Sequence, residues 1–432
     1  MPLLQTHPRS TDLDTDRRPG TVDAASTGRF GVWVYIGWLS TGVIEGPLRG
    51  GLSVIGMANL LYLRDLVVVL TIALAFARPL LRGGQHPPGL VLGGWVLAVH
   101  LCIGILLGGN LFNAFFGLKI FFPLLYAVAI FPAVEKNFAL FIRAMAVFFL
   151  VSTIGVFVND AVGELPWEGM SYDTAFGSVN TTKTWWMEGG LRRLPGLART
   201  SVDVAMIIGV SSVILLGAVH SVWLRALIVA LAIWAIVLST SKGMVLAFGI
   251  ATLWLVPFNR SVRSFKLGRT IVAALLLLTC LVPTLFMIMS VPSHPVDIPP
   301  LLSSMWERFS WMWPNAYALI PDWFGALTGA GLGGIGTPLG ILPDPNSADS
   351  VFVYYYASFG VLGVVYLAFP MVAILGRRGA ADGQAFVWAG LLIIAYGYGL
   401  STNMIEQTFF AGVLGLLYGK AFAACQPQRA RA

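Results

Sequence analysis

The sequence predicts an all-α membrane protein that crosses the bilayer many times. Of its 432 residues, 57% are apolar and only 11% are charged, whereas a soluble domain carries about 25% charged residues. A chain of this size cannot hide so much apolar surface in its own interior, so lipid must cover the rest. The composition therefore excludes soluble enzymes, disordered proteins and small disulfide-rich secreted scaffolds.

Twelve apolar runs approach the length of about 20 residues that a helix needs to cross the hydrocarbon core. Each run is expected to form one transmembrane helix. Two of the connecting segments, residues 160–201 and 291–350, are long enough to hold a functional site. The predicted spans are 30–46, 59–78, 89–108, 111–133, 137–159, 202–219, 223–240, 243–258, 269–290, 351–375, 384–401 and 407–424.

The distribution of basic residues predicts the orientation. Most of the 27 Lys and Arg residues fall on the cytoplasmic side if the N-terminus is placed inside, as the positive-inside rule requires. Both long loops then lie outside, and 30–424 forms the membrane domain between a disordered cytoplasmic tail (1–29) and a second cytoplasmic tail (425–432). The net charge of +7 is scattered over short connections and forms no basic face, which argues against nucleic acid as a partner.

Three arginines precede the predicted sixth span at the end of the first long loop. Arg192, Arg193 and Arg199 approach a helix N-terminus, and both guanidinium groups and helix N-termini bind phosphate oxygens. An anionic ligand is one interpretation. The alternative is that these arginines pair with Glu188, Asp203 and lipid headgroups.

The second long loop contains one arginine, Arg308, in an aromatic stretch with Trp311, and it ends with Asp349 directly before a span. Arg308 could form a second phosphate clamp, or it could pair with Glu307 or stack on a tryptophan. Asp349 could act as a general base, or it could stabilise the N-terminus of the following helix.

Gly331–Gly336 satisfies the GxGxxG pattern, but no strand precedes it, so a dinucleotide site is rejected. The glycines more plausibly permit a tight backbone course, or form a nest for an anion. No His or Cys residues stand at metal-ligand spacing, so neither a metal nor another cofactor is expected.

Basic residues inside or at the edge of predicted spans are candidates for function, because charge in a bilayer is costly. Lys119 lies in the middle of the fourth span, and Arg64 with Asp65 lies near the outer end of the second. Internal ion pairs or snorkelling are the alternatives. Lys242, in the Ser239–Gly243 turn, could contact a lipid phosphate.

The order of these features resembles the O-antigen ligase and Wzy-type polysaccharide polymerase superfamily over roughly residues 30–424. The overall run also resembles the polymerases of xanthan-type exopolysaccharide clusters. The resemblance implies a type C glycosyltransferase-like helical fold that acts without metal on glycans carried by undecaprenyl diphosphate. The features that carry it are the arginine-rich segment around Gly196, the Ser239–Gly243 turn, Arg308, the Gly329–Gly336 stretch and Asn346–Asp349.

By this resemblance, Arg308 and either Arg193 or Arg199 stand where the family places its diphosphate-binding arginines. Lys242 occupies a place where Arg is common, and Lys119 is similar to a mid-helix basic residue of the family. The ligase branch has a catalytic His before the helix that follows the large loop. This chain has Asp349 there, which weakens the ligase interpretation.

We therefore expect an inner-membrane polymerase that joins lipid-linked oligosaccharide repeats at the periplasmic face. Asp349, Arg308 and Arg193 are the expected catalytic residues, and substrate binding is expected of Arg192, Arg199, Lys242, Lys119 and Trp311. A ligase that moves glycan to a lipid acceptor, a transporter or flippase, and a structural anchor are the alternatives. The expected partners are the bilayer, a flippase and export or chain-length proteins.

Overall fold

The computed structural model shows an all-α membrane protein. Seven of the described helices are long and apolar enough to cross a membrane, and four shorter apolar helices accompany them. The composition requires such helices, because a helix satisfies all of its backbone hydrogen bonds within hydrocarbon. The structure describes residues 21–82, 86–108, 110–174, 177–183, 192–256, 261–289, 302–320, 322–336, 348–376 and 383–426.

The helices in chain order are α1 (Thr21–Val43), α2 (Glu45–Val54), α3 (Tyr62–Arg82), α4 (Pro88–Gly108), α5 (Leu111–Lys136), α6 (Phe138–Val162), α7 (Ser201–Ala218), α8 (Val222–Leu238), α9 (Lys242–Leu255), α10 (Val262–Ile288), α11 (Ser303–Glu307), α12 (Trp313–Ala318), α13 (Trp323–Thr328), α14 (Val351–Phe359), α15 (Val361–Leu375), α16 (Gly383–Gly399) and α17 (Thr408–Cys425). Two strands, β1 (Ser171–Thr174) and β2 (Gly177–Asn180), form an antiparallel hairpin between α6 and α7.

The described residues of the twelve predicted spans are largely helical, although their passage through a bilayer stays a prediction. The span predicted over 30–46 is broken between α1 and α2 at Ile44. The span predicted over 351–375 is broken into α14 and α15 at Gly360, where φ is +60°. A Cβ atom on Gly360 would lie 2.4 Å from the carbonyl carbon of Leu327, so glycine is required by the close approach of α13.

The first helix begins earlier than the apolar run that predicted it. Residues 21–29 were assigned to the disordered tail, but they form the first turns of α1. Backbone hydrogen bonding does not require apolar side chains, so a helix can continue beyond its membrane-facing part. The rest of that tail, residues 1–20, lies outside the described residues, and the predicted C-terminal tail is described only at Cys425 and Gln426.

Close helix packing holds the centre of the bundle together. Helix α7 is almost entirely buried and contacts α6, α8, α9 and α16. Helix α17 lies against α5, where a Cβ atom on Gly415 would fall 2.3 Å from the carbonyl oxygen of Leu124. Small residues allow such close approach, which replaces the hydrophobic driving force that is missing between helices in lipid.

The described parts of both long connecting segments lie at one end of the bundle, here called the loop end. In the first segment, Gly46 N on α2 donates to Leu197 O at 3.0 Å, and Arg49 donates to the hydroxyl of Tyr172 on β1. In the second segment, a π-helical turn over Arg308–Met312 joins α11 to α12. The first segment therefore contacts α2 and ends at the start of α7, and the second segment ends at the start of α14.

The glycine-rich stretch Gly331–Gly336 packs between α4 and α5. A Cβ atom on Gly331 would lie 2.1 Å from Gly104 N, and one on Gly333 would lie 2.2 Å from Asn113 O. Both glycines have positive φ. The expected tight backbone course is confirmed, and it places the stretch directly against two apolar helices; the expectation of an anion nest stays a prediction.

Candidate anion-binding site

An ion pair between Arg308 and Asp349 lies at the centre of the loop end. The Arg308 Nη2 atom donates to Asp349 Oδ2 at 2.8 Å, and both side chains are partly buried. The two residues are 41 positions apart and come from opposite ends of the second long segment. Their pairing joins the π-helical turn to the start of α14.

Two further cations lie beside this pair. The guanidinium group of Arg193 is close enough to Arg308 to repel it and close enough to Asp349 to be attracted. The ammonium group of Lys242 is repelled by both arginines. Burial, and then the charge of Arg308, lower the pKa of Arg193 from its ordinary value. We call Arg193, Lys242, Arg308 and Asp349 the cation cluster.

The cation cluster holds more positive than negative charge. Its three basic residues repel one another, and Asp349 supplies the carboxylate that is paired with Arg308. The Nε atoms of Arg193 and Arg308 are buried and have no hydrogen-bond partner in the part of the chain that the structure describes. Such an arrangement favours binding of an anion with several oxygen atoms, because each guanidinium group can donate two parallel hydrogen bonds.

Backbone strain marks the two turns that carry Lys242 and Asp349. Within the described ranges, the non-glycine residues with positive φ are Thr240 (57°), Ala348 (62°) and Asp349 (37°). Holding a non-glycine residue at positive φ costs about 1–3 kcal/mol of folding free energy. Such strain persists where the surrounding structure imposes it, commonly at functional sites. The strain therefore supports a functional role for these turns, independently of charge.

A buried polar network fixes the position of Arg193. The fully buried Asn159 on α6 accepts a hydrogen bond from Gly196 N at 3.1 Å and donates to Glu168 Oε1 at 2.9 Å. The Glu168 carboxylate in turn pairs with Arg192. The segment is therefore held on both sides of Arg193, by the residue before it and by the turn at Gly196.

Aromatic packing fixes the position of Arg308. The next residue, Phe309, stacks on Phe286 of α10 with ring centroids 3.7 Å apart, and it also contacts the fully buried Trp313. The π-helical geometry of this turn carries one more residue per hydrogen-bonded ring than an α-helix, and such bulges occur often at functional sites. Packing of Phe309 thus places Arg308 toward Asp349.

The turn between α8 and α9 carries Lys242. Ser241 Oγ lies 3.1 Å from the hydroxyl of Tyr398, near the end of α16. The Tyr398 hydroxyl also lies within electrostatic reach of Arg308 and of Asp203. Tyr398 therefore connects the Lys242 turn to the cation cluster and to the start of α7.

Arg199 belongs to a second group of charges, and its expected role in substrate binding stays a prediction. Its neighbours are Arg49, Glu45, Asp203 and Tyr172, and it has no resolved interaction with Arg308. Burial, followed by the charge of Arg49, lowers the pKa of Arg199. Of the two arginines that the resemblance offered, the structure therefore brings Arg193 to Arg308.

Lys119 is paired within the protein. Its Nζ atom lies 2.7 Å from Asp65 Oδ2, and Arg64 Nε lies 3.8 Å from Asp65 Oδ1. Arg64 also lies 3.3 Å from Glu45 Oε2. The alternative of an internal ion pair for Arg64 and Asp65 is confirmed, and this network joins α2, α3 and α5 rather than contributing to the cation cluster.

Two more predicted binding residues lie outside the cation cluster. Arg192 is engaged by Glu168, whose carboxylate is buried, so its described role is to hold the segment that carries Arg193. Trp311 is 39% exposed in the π-helical turn, three residues from Arg308. Three further residues of the sequence motifs lie outside the described residues: Glu188, Asn346 and Ser347.

Sequence reasoning missed three residues that shape the site. Tyr398 gave no signal, because a tyrosine near the end of a span is commonly an interfacial anchor. Glu168 and Asn159 were also missed, since only the fold reveals that they hold the arginine segment. Glu406 lies beside Gly336, because a Cβ atom on Gly336 would fall 2.1 Å from the Oε1 atom of Glu406.

No protein-family model matches this chain, and a search among curated proteins returns no similar sequence. The geometry of the loop end is therefore the basis for proposing a function.

Proposed function

We propose that this protein is a polysaccharide polymerase that joins oligosaccharide repeats carried on a polyprenyl diphosphate, in particular undecaprenyl diphosphate. The observation that carries the proposal is the convergence of Arg193, Lys242 and Arg308 around Asp349 at one end of a membrane domain. Multiple fixed cations suit a diphosphate, and their position at the end of apolar helices suits a diphosphate attached to a lipid.

In the proposed reaction, a sugar hydroxyl of the acceptor attacks the anomeric carbon of the donor glycan. The bond between that carbon and the diphosphate oxygen breaks, and the polyprenyl diphosphate leaves with the bonding electron pair. Asp349 accepts the proton of the attacking hydroxyl. Arg193, Arg308 and Lys242 stabilise the charge that grows on the leaving group, so their effect is larger in the transition state than in the ground state.

The ion pair between Arg308 and Asp349 suggests how the substrate prepares the base. Asp349 pairs with the guanidinium group of Arg308. An arriving diphosphate competes for the same guanidinium group, and the exchange releases the Asp349 carboxylate beside the donor sugar. A carboxylate that has lost its cationic partner is a better proton acceptor.

The proposal includes a location and partners. The positive-inside pattern of the basic residues supports a location in a bacterial inner membrane, with both termini in the cytoplasm and the cation cluster at the periplasmic face. The substrate must then be delivered to that face by a flippase, and the product must pass to export and chain-length proteins.

The direct test is reconstitution of the purified protein in nanodiscs with the lipid-linked repeat extracted from cells that lack this protein. We expect a ladder of polymer on a gel. Arg193→Ala and Arg308→Ala should lower polymer formation by about 10²-fold or more, because each removes a preorganised charge from the leaving group. Arg263→Ala, at an exposed position on α10, is the matched control and should retain activity.

Other outcomes assign other functions. Transfer of glycan to an added lipid acceptor, without a ladder when that acceptor is omitted, would identify a ligase. Movement of the lipid-linked repeat across the bilayer without any new glycosidic bond would identify a transporter or flippase. Normal ladders from both arginine variants would contradict the proposed role of the cation cluster.

A further inference from the structure

A cavity of about 310 Å³ lies within the apolar part of the bundle. Its wall is formed by α4, α5, α14, α15 and α17, and nearly every residue in it is aliphatic or aromatic. The residues that matter for the argument are Leu92, Phe121, Tyr355, Phe359, Val365 and Tyr418.

The hydroxyl groups of two tyrosines in the wall, Tyr355 and Tyr418, are already satisfied. The hydroxyl groups of Tyr355 and Tyr418 lie 3.3 Å apart, and Tyr418 also donates to the backbone oxygen of Tyr366 at 2.8 Å. No hydroxyl of this pair therefore requires a polar ligand. An apolar cavity of this kind takes up hydrocarbon and excludes water.

Two residues of the cavity wall, Leu92 on α4 and Val365 on α15, are 55% and 58% exposed at the surface of the bundle. Their exposure indicates that the cavity opens sideways between these two helices. Because the exposed surface of these helices faces lipid, a hydrocarbon chain can enter from the bilayer without crossing water. Deeper in the wall, Phe121 and Phe359 are almost fully buried.

Helix α14 connects the cavity to the cation cluster. Asp349 stands two residues before the first residue of this helix, Val351, and Tyr355 and Phe359 are four and eight residues along the helix from Val351. With a rise of about 1.5 Å per residue, the cavity wall begins about 6 Å along the helix axis from Val351. A lipid whose diphosphate is bound in the cation cluster can therefore extend its chain along the protein to the cavity.

We infer that this cavity holds part of the polyprenyl chain of the lipid-linked substrate while its diphosphate occupies the cation cluster. The inference rests on the proposed function and adds a second contact region for the same substrate. Transfer from bilayer to cavity brings no hydrophobic gain, so the benefit comes from van der Waals packing and from restricting the position of the headgroup.

The test is photo-crosslinking in nanodiscs with a polyprenyl diphosphate that carries a diazirine in its chain. We expect crosslinks to cavity residues such as Leu97 and Tyr366, and we expect unlabelled polyprenyl diphosphate to compete with them. Equal crosslinking by a phospholipid with a diazirine in its acyl chain, not reduced by polyprenyl diphosphate, would overturn the inference, since the cavity would then hold bulk lipid.

A pair of variants on α15 makes the test specific. Val365→Trp narrows the opening and should reduce crosslinking of the polyprenyl probe by about fivefold, in keeping with the modest energy of packing in lipid. Val372→Trp, two turns along the same helix at a 62% exposed position outside the cavity wall, should leave it unchanged. Equal crosslinking in both variants would contradict the inference.

Failure of this inference can be told apart from failure of the proposed function. Crosslinking does not require polymer to form, whereas the ladder assay does. If the protein makes polymer but no crosslink in the cavity is competed by polyprenyl diphosphate, the proposed function stands and the chain-binding site is contradicted. If a competed crosslink forms but no polymer is made, the chain-binding site stands and the polymerase function is contradicted.

Discussion

Asp349 combines an ion pair with a strained backbone conformation. Sequence alone left it between a helix-capping role and a general base. The structure pairs it with Arg308 at 2.8 Å and places it in a strained conformation with φ of 37°. A residue placed only to stabilise a helix would not require that strain, so the contact with Arg308 is the more informative feature.

Replacement of Asp349 by Asn should separate binding from catalysis. Without its carboxylate, Arg308 loses an internal competitor, so Asp349→Asn should bind a prenyl diphosphate such as farnesyl diphosphate at least as tightly as the wild type. Polymer formation should nevertheless be lost, because the amide cannot accept the proton. Binding is measured by calorimetry in detergent, and formation of polymer by the gel ladder.

The matched control for this variant is Asp173→Asn, at an exposed position on the β1 strand, which should change neither quantity. Weaker diphosphate binding in Asp349→Asn would show that the carboxylate supports the cluster instead of competing with its ligand. Retained polymer formation would remove Asp349 as the base.

The neighbouring residues Arg192 and Arg193 should behave differently although both are arginines in one segment. Arg192→Ala leaves the buried Glu168 carboxylate without its cationic partner, and loss of one member of a buried ion pair destabilises by about 3–5 kcal/mol. Arg193→Ala removes no ion pair among the described residues, so it should lower diphosphate affinity with little effect on thermal unfolding. A large fall in melting temperature for Arg193→Ala alone would contradict this division.

At the scale of elements, the glycine-rich stretch shows why sequence patterns need their structural context. Gly331–Gly336 matches a nucleotide-binding pattern, yet its backbone packs against Gly104 on α4 and Asn113 on α5. The pattern correctly indicated tight backbone geometry. It could not indicate which helices the stretch contacts, since those residues lie more than 200 positions earlier in the chain.

Gly333→Ala should therefore be strongly destabilising. The new Cβ atom would fall 2.2 Å from Asn113 O, and backbone atoms cannot move away as a flexible side chain can. Gly56→Ala is the matched control, because Gly56 also has positive φ but has no neighbour within 4 Å. Thermal unfolding in detergent should show a clearly larger loss for Gly333→Ala, and equal losses would mean that positive φ alone explains both.

The elements that carry the site were predictable only in part. The arginine segment, the Ser239–Gly243 turn and the approach to α14 were identified as candidates, because charge near lipid is costly and calls for a reason. The π-helical turn at Arg308 and the network around Asn159 were not predictable. Both depend on packing against distant helices, which leaves no local periodicity in the sequence.

At the scale of the whole molecule, hydrophobic length indicated where most of the long helices lie. The described residues of the twelve predicted segments are largely helical, since a backbone in hydrocarbon has few alternatives to helix. The short helices α2, α11, α12 and α13 were not predicted. Helix ends were less accurate, as at Thr21 and at the break at Gly360, because local backbone contacts and polar helical turns do not follow hydropathy. The orientation in the membrane stays a prediction.

Site-directed labelling can test that orientation. In a variant whose Cys102, Cys280 and Cys425 are replaced by Ala, a single cysteine introduced at Asp173 should react with a membrane-impermeant maleimide in intact cells with a permeable outer membrane. A single cysteine at Arg263 should react only after the inner membrane is opened. Both positions are exposed, so the reverse pattern would place the loop end in the cytoplasm and exclude a periplasmic polymerase.

The measurement that tests the central claim most directly is a double-mutant cycle on Arg193 and Arg308 with farnesyl diphosphate binding as the readout. If both guanidinium groups bind one diphosphate, the losses of binding free energy caused by Arg193→Ala and Arg308→Ala will not add in the double variant. The coupling free energy between the two positions will be about 0.5–3 kcal/mol. If the two losses simply add, or if neither variant weakens binding, the arginines do not share a ligand and the account is contradicted.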